Sequence, residues 1–167
     1  MFLENPLNFN EQFGRIEVIC GSMFSGKTEE LIRRLKRAEL AKQKTRIFKP
    51  MVDKRHNNDY LTSHDLNQIN STSVNSASNI YNLANDFNVI GIDEAQFFDK
   101  EIVEVCNNLA DDGKRIIVAG LDMDFEGKPF GSMPQLMAIA EYVTKLHAIC
   151  TRSGNLANYS FRKSNNK

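Results

Sequence analysis

One short segment constrains the fold of this 167-residue chain more than any other. An apolar run at residues 16–20 leads directly into Gly-Ser-Met-Phe-Ser-Gly-Lys-Thr at residues 21–28, and a helix-like pattern follows. The spacing GxxxxGKT between a strand and a helix is typical of a loop that binds the phosphates of a nucleotide. The sequence therefore predicts an α/β domain built around such a phosphate-binding loop, or P-loop.

Each residue of this loop is a candidate for contact with ATP or a close relative of ATP. Two glycines allow the backbone to curl so that its N–H groups converge on a phosphate, and the start of the helix adds positive potential. Lys27 is expected to reach the β and γ phosphates, and Thr28 to offer its hydroxyl to Mg²⁺. The candidate nucleotide-binding residues are Gly21, Ser22, Met23, Phe24, Ser25, Gly26, Lys27 and Thr28.

A second apolar run, residues 89–92, ends in the acidic pair Asp93 and Glu94. Parallel α/β sheets place their sites at the carboxyl ends of the strands, so this pair is expected near the P-loop. Asp93 is the candidate on the nucleotide and Mg²⁺ side, and Glu94 could accept a proton from an attacking hydroxyl or water. The structural alternative is an acidic turn that caps a helix.

Apolar runs and helix-like stretches alternate along the chain, which predicts a RecA-like α/β fold with a mostly parallel sheet flanked by helices. Leu31, Leu35 and Ala38 mark one helix, whose basic side we interpret as solvated rather than as a binding patch. Residues 102–109 mark a second helix with a possible interface role. The polar stretch 51–76 predicts a long loop or flap. The predicted strands are residues 16–20, 45–48, 89–93, 115–121 and 143–150, the last of which includes His147.

Composition excludes several classes of protein. Lys and Arg total 21 and Asp and Glu total 21, so no net charge attracts a nucleic acid, and we expect no nucleic-acid partner. No apolar run approaches the roughly 20 residues of a membrane span, and no signal peptide is recognisable. Cys20, Cys106 and Cys150 are far apart within apolar segments, which favours reduced thiols and a cytoplasmic location.

Five sequence blocks, taken together, resemble one family. From about residue 14 to residue 162 the chain is similar to the cytosolic-type (type II) thymidine kinases. The blocks are GSMFSGKTEEL at 21–31, KPMVDKR at 49–55, SHD at 63–65, IDEAQFF at 92–98 and GLDMDFEGKPFG at 120–131. The resemblance implies ATP-dependent phosphorylation of the 5′-hydroxyl of thymidine, giving dTMP in nucleotide salvage for DNA synthesis. It also implies deoxyuridine as a second substrate, dTTP as a feedback inhibitor, and a homotetramer or homodimer.

The resemblance also assigns roles to individual residues. Glu94 would take the proton of the 5′-hydroxyl, and Arg55 would act with Lys27 on the transferring phosphoryl group. Asp53 would join Asp93 and Thr28 near Mg²⁺. The residues around the thymine ring would be Met23, Phe97, Leu121 and Phe125, with Ser160 and Arg162 entering from the C-terminal side. Without the resemblance, Phe97 and Phe125 would be read as core residues.

The family usually carries a small zinc-binding lobe with two pairs of cysteines. Here Cys150 is followed by Ser153 where the first pair should close, and one cysteine cannot build a four-thiolate site, which argues against zinc at Cys150. We expect an N-terminal extension at 1–13, a kinase domain at 14–149 and an incomplete C-terminal lobe at 150–167. Either the lobe works without zinc or a further tail holds the base-covering loop, and we favour the tail.

Three other functions compete with a kinase. Residues 93–96 spell a DExQ box, which would suit a nucleic-acid-stimulated ATPase, but such enzymes need two such domains and a basic track. A GTPase would need an NKxD segment after the acidic strand, and none follows. A nucleotide-dependent scaffold would keep Lys27 but would not need Glu94.

Overall fold

The computed structural model describes residues 13–51, 60–62 and 68–161. Within these ranges, strands and helices alternate along the chain, with a 3₁₀ turn at Ala95–Phe97. In chain order the elements are β1 (Arg15–Gly21), α1 (Lys27–Leu40), β2 (Thr45–Pro50), β3 (Tyr60–Thr62), β4 (Gln68–Val74), α2 (Ala77–Leu83), β5 (Val89–Ile92), α3 (Ile102–Asp111), β6 (Arg115–Gly120), α4 (Met133–Ile139), β7 (Tyr142–Leu146), β8 (Ala148–Ile149) and β9 (Leu156–Ala157).

The main sheet has the strand order β3-β4-β2-β5-β6-β1-β7. Six of these strands are parallel, and β3 runs antiparallel to β4. The predicted α/β fold with a mostly parallel sheet is confirmed. Because β1 pairs with both β6 and β7, the loop after β1 begins between the carboxyl ends of two neighbouring strands. This topology brings the ends of β1, β5 and β6 to the same edge of the sheet.

Helices cover both faces of the sheet. Helix α1 packs on one face through Leu31, Ile32, Leu35 and Ala38, as its periodicity predicts. Helices α2, α3 and α4 cover the other face. The apolar side of α3, which the sequence offered as a possible interface, is buried inside the chain through Ile102, Val105, Cys106 and Leu109, so it cannot also bind a second subunit.

Two sequence predictions about strands are wrong. Part of the predicted loop at 51–76 is strand β4, which pairs in parallel with β2 from Ile47↔Ser71 to Pro50↔Val74. The sequence did not indicate this strand because its residues are mostly polar. Pairing with β2, rather than an apolar pattern of its own, holds β4 in the sheet. The predicted strand 143–150 is also divided: β7 ends at Leu146, His147 lies between the two strands, and β8 pairs with β9 in a separate hairpin.

The basic side of α1 is only partly solvated, which corrects our interpretation of it. The Arg34 side chain is 12% exposed, and its guanidinium lies 2.9 Å from the Glu17 carboxylate of β1. Arg15 and Arg115 contact the same carboxylate, at 2.9 and 2.6 Å. Thr144 of β7 also accepts a hydrogen bond from Arg34. This cluster, which we call the Glu17 cluster, joins α1 to three neighbouring strands.

Gly91 of β5 leaves the space that the core side chains of α1 occupy. A Cβ atom at this position would lie 2.8 Å from Leu35 Cδ1 and 3.1 Å from Ile47 Cγ1. We therefore expect Gly91→Ala to lower the free energy of unfolding by about 1–3 kcal/mol, as overpacking does in a filled core. Urea denaturation would measure the loss. Leu35→Val should lower the free energy of unfolding less in the Gly91→Ala variant than in the wild type, because it removes the Cδ1 atom that clashes with the new Cβ. If the effects of the two substitutions on the free energy of unfolding were strictly additive, this explanation would be wrong.

None of the helices within the described ranges combines the length and apolarity that crossing a membrane requires.

Candidate active site

The P-loop leaves β1 with a backbone that side chains rarely permit. Gly21 has a φ of 146°, Gly26 has a φ of 86°, and Phe24 also lies in the left-handed region, at 60°. A Cβ atom on Gly21 would lie 2.2 Å from the carbonyl oxygen of Leu146, so glycine is required there for space as well as for conformation. Helix α1 then begins at Lys27, with Gly26 as its N-cap. The loop therefore has the left-handed turns that allow backbone N–H groups to converge on an anion.

The carbonyl of Ser22 organises the side chains of the loop. It accepts hydrogen bonds from the Ser25 hydroxyl at 2.8 Å and from Lys27 Nζ at 2.6 Å. Burial lowers the pKa of Lys27 below its usual value, although the nearby carboxylates of Glu94 and Asp93 oppose this shift. The lysine ammonium is thus held at the mouth of the loop, where the added negative charge of a phosphate would favour its charged form.

Asp93 follows β5 and meets the start of α1. Thr28 Oγ1 donates a hydrogen bond to Asp93 Oδ2 at 3.3 Å, so two of the predicted Mg²⁺ ligands lie side by side. Burial, followed by the charge of Glu94, raises the pKa of Asp93 to about 7. A divalent cation would relieve that cost by favouring the charged carboxylate. One carboxylate and one hydroxyl also suit Mg²⁺, which keeps waters and takes further ligands from phosphates, so these residues fit the ion.

Glu94 adopts a backbone conformation that is uncommon for glutamate, with φ 52° and ψ 41°. Non-glycine residues in this left-handed region cluster at functional sites, because the surrounding structure must hold them there. The Glu94 carboxylate accepts a hydrogen bond from Gln96 Nε2 through its Oε2 atom. This arrangement puts a second, half-buried carboxylate directly beside the Asp93–Thr28 pair and Lys27.

The loop after β6 lies next to these acids and carries apolar side chains. The backbone N–H of Leu121 donates to Gln96 Oε1 at 3.0 Å. Phe97, which is 39% exposed, packs edge-on against Phe130, with ring centroids 5.5 Å apart. Phe125 is 58% exposed at the end of a turn whose stem is closed by the bridge between Met123 and Pro129. Phe97 and Leu121 are thus on neighbouring elements beside the end of β5, and Phe125 lies farther along the loop after β6, between Met123 and Pro129.

Strand β9 and the segment after it contact the P-loop. Ser22 Oγ donates to the carbonyl of Ala157 at 3.0 Å, and the N–H of Met23 donates to Ser160 Oγ at 2.9 Å. Tyr159 lies against the turn in the loop after β6, where a Cβ atom on Gly127 would be 3.1 Å from the Tyr159 ring. The C-terminal segment therefore contacts both the P-loop and the loop after β6, and the predicted contact of Ser160 with the thymine ring stays a prediction.

The structure does not describe three of the predicted site residues. Asp53, Arg55 and Arg162 lie outside the described residues. Within residues 13–51 and 71–161, no group of three or more His, Cys, Asp and Glu side chains could hold a metal ion together. Cys150 is a free thiol in the hairpin turn, where its N–H donates to the carbonyl of Asn155 and its own carbonyl accepts from Gly154.

Sequence reasoning missed four side chains that shape this site. Gln96 was noted as a letter of the DExQ box, and Phe130 within the block at 120–131, but neither was assigned to the site. Asp122 and Lys145 were also missed: the Lys145 ammonium lies 2.7 Å from Asp122 Oδ2 and ties the start of the loop after β6 to β7. No local pattern could have revealed this pair, because Asp122 lies in the loop after β6 and Lys145 lies in β7.

Comparisons with known proteins agree on one family. A family model described as thymidine kinase matches residues 14–167. The thymidine kinase of Bacteroides fragilis (strain YCH46) is 55% identical over 162 residues, which cover 97% of this chain and 81% of that protein. Thymidine kinase from Rhodothermus sp. (strain ITI 518) is 60% identical over 149 residues, covering 89% and 70%. Thymidine kinase from Porphyromonas gingivalis (strain ATCC BAA-308 / W83) is 59% identical over 150 residues, covering 90% and 74%.

Proposed function

This chain belongs to the thymidine kinase family, and we propose that it transfers the γ-phosphoryl group of ATP to the 5′-hydroxyl of thymidine. One observation supports this above all. The P-loop, the Asp93–Thr28 pair and Glu94 meet at one edge of the sheet, with the apolar loop after β6 beside them. A site with a phosphate half, a carboxylate and an apolar half suits a nucleoside acceptor.

We propose that the P-loop amides and Lys27 bind the phosphates of ATP. Phosphoryl transfer needs positioning and charge neutralisation more than covalent chemistry from the protein, which suits a lysine at the mouth of a loop of N–H groups. Thr28 and Asp93 would hold Mg²⁺, which neutralises negative charge on the phosphates when it is bound. Asp53, from the family resemblance, would assist on the Mg²⁺ side, and Arg55 would stabilise the transferring group.

We propose Glu94 as the general base. Its carboxylate would take the proton of the 5′-hydroxyl as that oxygen forms a bond to the γ-phosphorus. The bond from the γ-phosphorus to the bridging oxygen would break at the same time, and ADP would leave with the electron pair. Glu94 is half-buried beside Lys27 and Asp93, which puts a proton acceptor next to the phosphate site.

We propose that the thymine ring binds between the P-loop and the loop after β6. The candidate contacts are Met23, Phe97, Leu121, Phe125, Phe130, Ser160 and Arg162. Met23 is 41% exposed beside Ser160, and the rings of Phe97 and Phe130 are already in contact, which supports an apolar slot for a flat base.

Several finer properties rest on the family resemblance. We propose deoxyuridine as a second substrate, dTTP as a feedback inhibitor, a role in nucleotide salvage in the cytoplasm, and a homotetramer or homodimer. The division into an extension at 1–13, a kinase domain at 14–149 and a small lobe from 150 is also a proposal. The separate hairpin of β8 and β9 supports a boundary near the end of β7.

The test is a product analysis with ATP, Mg²⁺ and a panel of nucleosides. We expect phosphorylation of thymidine and deoxyuridine but not of deoxycytidine or deoxyguanosine. Among analogues, 3′-deoxythymidine should be phosphorylated and 5′-deoxythymidine should not, because the acceptor is the 5′-hydroxyl. The variant Lys27→Met supplies the background rate. Phosphate on 5′-deoxythymidine, or equal rates with deoxyguanosine, would contradict the proposal.

A further inference from the structure

Gln96 uses both ends of its side-chain amide and is only 3% exposed. Its Oε1 accepts the backbone N–H of Leu121 at 3.0 Å, and its Nε2 donates to Glu94 Oε2 at 2.5 Å. Because a backbone N–H can only donate, the atom that faces Leu121 must be the oxygen. The NH₂ group therefore has to face Glu94, and the orientation of the amide follows from chemistry alone.

Two glycines enclose this residue. A Cβ atom on Gly120 would lie 2.8 Å from Gln96 Oε1, and a Cβ atom on Gly131 would lie 2.4 Å from the Gln96 carbonyl oxygen. The backbone on either side of the loop after β6 thus closes over Gln96, and little room remains for the amide to rotate. Because the Gln96 side chain has so little freedom to move, the groups to which it is hydrogen-bonded are held in fixed positions as well.

We propose that Gln96 is the positioning residue that couples the carboxylate of Glu94 to the base-binding loop. This inference rests on the proposed function, in which Glu94 is the base and Leu121 contacts thymine. The hydrogen bond from Gln96 Nε2 restrains Glu94 Oε2. It leaves Oε1 free to accept a hydrogen bond from the 5′-hydroxyl, since an ionised carboxylate can accept from several donors. The same amide holds Leu121, so the loop that binds the base and the group that takes the proton share one support.

The test uses two variants of nearly the same size. Gln96→Glu keeps an oxygen for the Leu121 N–H but, when ionised, offers no N–H to Glu94. At pH 8.5 we expect its kcat to fall about a hundredfold, while KM for thymidine and for ATP stays within about threefold, because misplacing a catalytic group by about 1 Å can cost that much. Gln96→Met loses both bonds, and it should show a similar loss of kcat together with an approximately tenfold higher KM for thymidine.

The matched control is Gln135→Glu, the same change on the exposed side of α4, which should leave both constants unchanged. The Tm of each variant, measured by thermal unfolding, shows whether a loss of kcat comes from a misplaced Glu94 or from a damaged fold. The proposal is overturned if Gln96→Glu keeps kcat within threefold, or if kcat and both KM values change along with a large drop in Tm. If Gln96→Glu fails to fold, Gln96→Met is the deciding variant. The proposal is then overturned if Gln96→Met keeps kcat within threefold, or if its KM for ATP also changes along with a large drop in Tm.

A failure of this inference is distinguishable from a failure of the proposed function. If Glu94→Gln retains the wild-type kcat, the assignment of Glu94 as base is wrong, and the coupling falls with it. If Glu94→Gln loses kcat while Gln96→Glu keeps it, only the coupling is wrong.

Discussion

Replacing Glu94 with glutamine is expected to lower kcat for thymidine phosphorylation by about 10²–10⁴-fold, the usual contribution of a general base. Glutamine keeps the size and the oxygen that accepts from Gln96, but it cannot take a proton. This change leaves the residues of the nucleotide half of the site in place, namely the P-loop with Lys27 and Thr28. We therefore expect the Kd for ATP to stay within about threefold of the wild type, as measured by calorimetry.

The control for this experiment is Glu104→Gln, on the exposed side of α3, which should change neither kcat nor ATP binding. A Glu94→Gln enzyme that keeps kcat within tenfold would show that another group takes the proton. Loss of ATP binding together with turnover would instead show that Glu94 supports the P-loop. That result would contradict the separation of the site into a phosphate half and an acceptor half.

The second large effect concerns stability and the Glu17 cluster. Glu17 is 5% exposed, and its carboxylate contacts three guanidinium groups, those of Arg15, Arg34 and Arg115. Replacing Glu17 with glutamine leaves the three positive charges close together without their shared partner. We expect the free energy of unfolding to fall by about 2–4 kcal/mol, near the range for breaking one side of a buried ion pair. Urea denaturation followed by circular dichroism would measure it, again with Glu104→Gln as the control.

The same variant should also change the response to acid. Burial on its own raises the pKa of Glu17, but the hydrogen bonds and charges of Arg115 and Arg15 outweigh it and leave that pKa below its usual value. A carboxyl whose pKa is lower in the folded state stabilises the fold above its unfolded pKa and loses that contribution as the pH falls. The stability difference between wild type and Glu17→Gln should therefore shrink as the pH is lowered from 7 through about 4 toward 3. An equal difference at pH 7 and pH 3 would contradict the charge-based explanation.

Local signals were enough for the parts of this protein that depend on short-range chemistry. The glycine spacing at 21–28, the apolar strand before it and the strand that ends in Asp93 each carry their own pattern, and the predicted sheet and helices α1 and α3 are confirmed. The prediction that Thr28 and Asp93 converge followed from the rule that parallel strands end at one edge, and the two side chains are in contact. Their roles in binding Mg²⁺ stay predictions.

Other features could not be predicted because they depend on residues that are distant in sequence. Strand β4 has few apolar residues, and its pairing with β2 defines it. Arg34 looked like part of a solvated face until the fold placed Glu17 and Thr144 beside it. Gln96 had no signal of its own, since its importance comes from contacts with both Glu94 and Leu121.

The fold class, the glycine-containing loop at 21–28 and the acidic pair at the end of β5 could therefore be predicted from short segments, because glycine conformation, apolar periodicity and the end of a parallel strand act over a few residues. The groups that hold those residues in place became visible in the folded chain. Gln96 joins Glu94 to the loop after β6, Ser160 meets the P-loop, and Glu17 gathers three arginines from α1, β1 and β6. Such partners are set by packing between elements, and no local pattern in the chain encodes them.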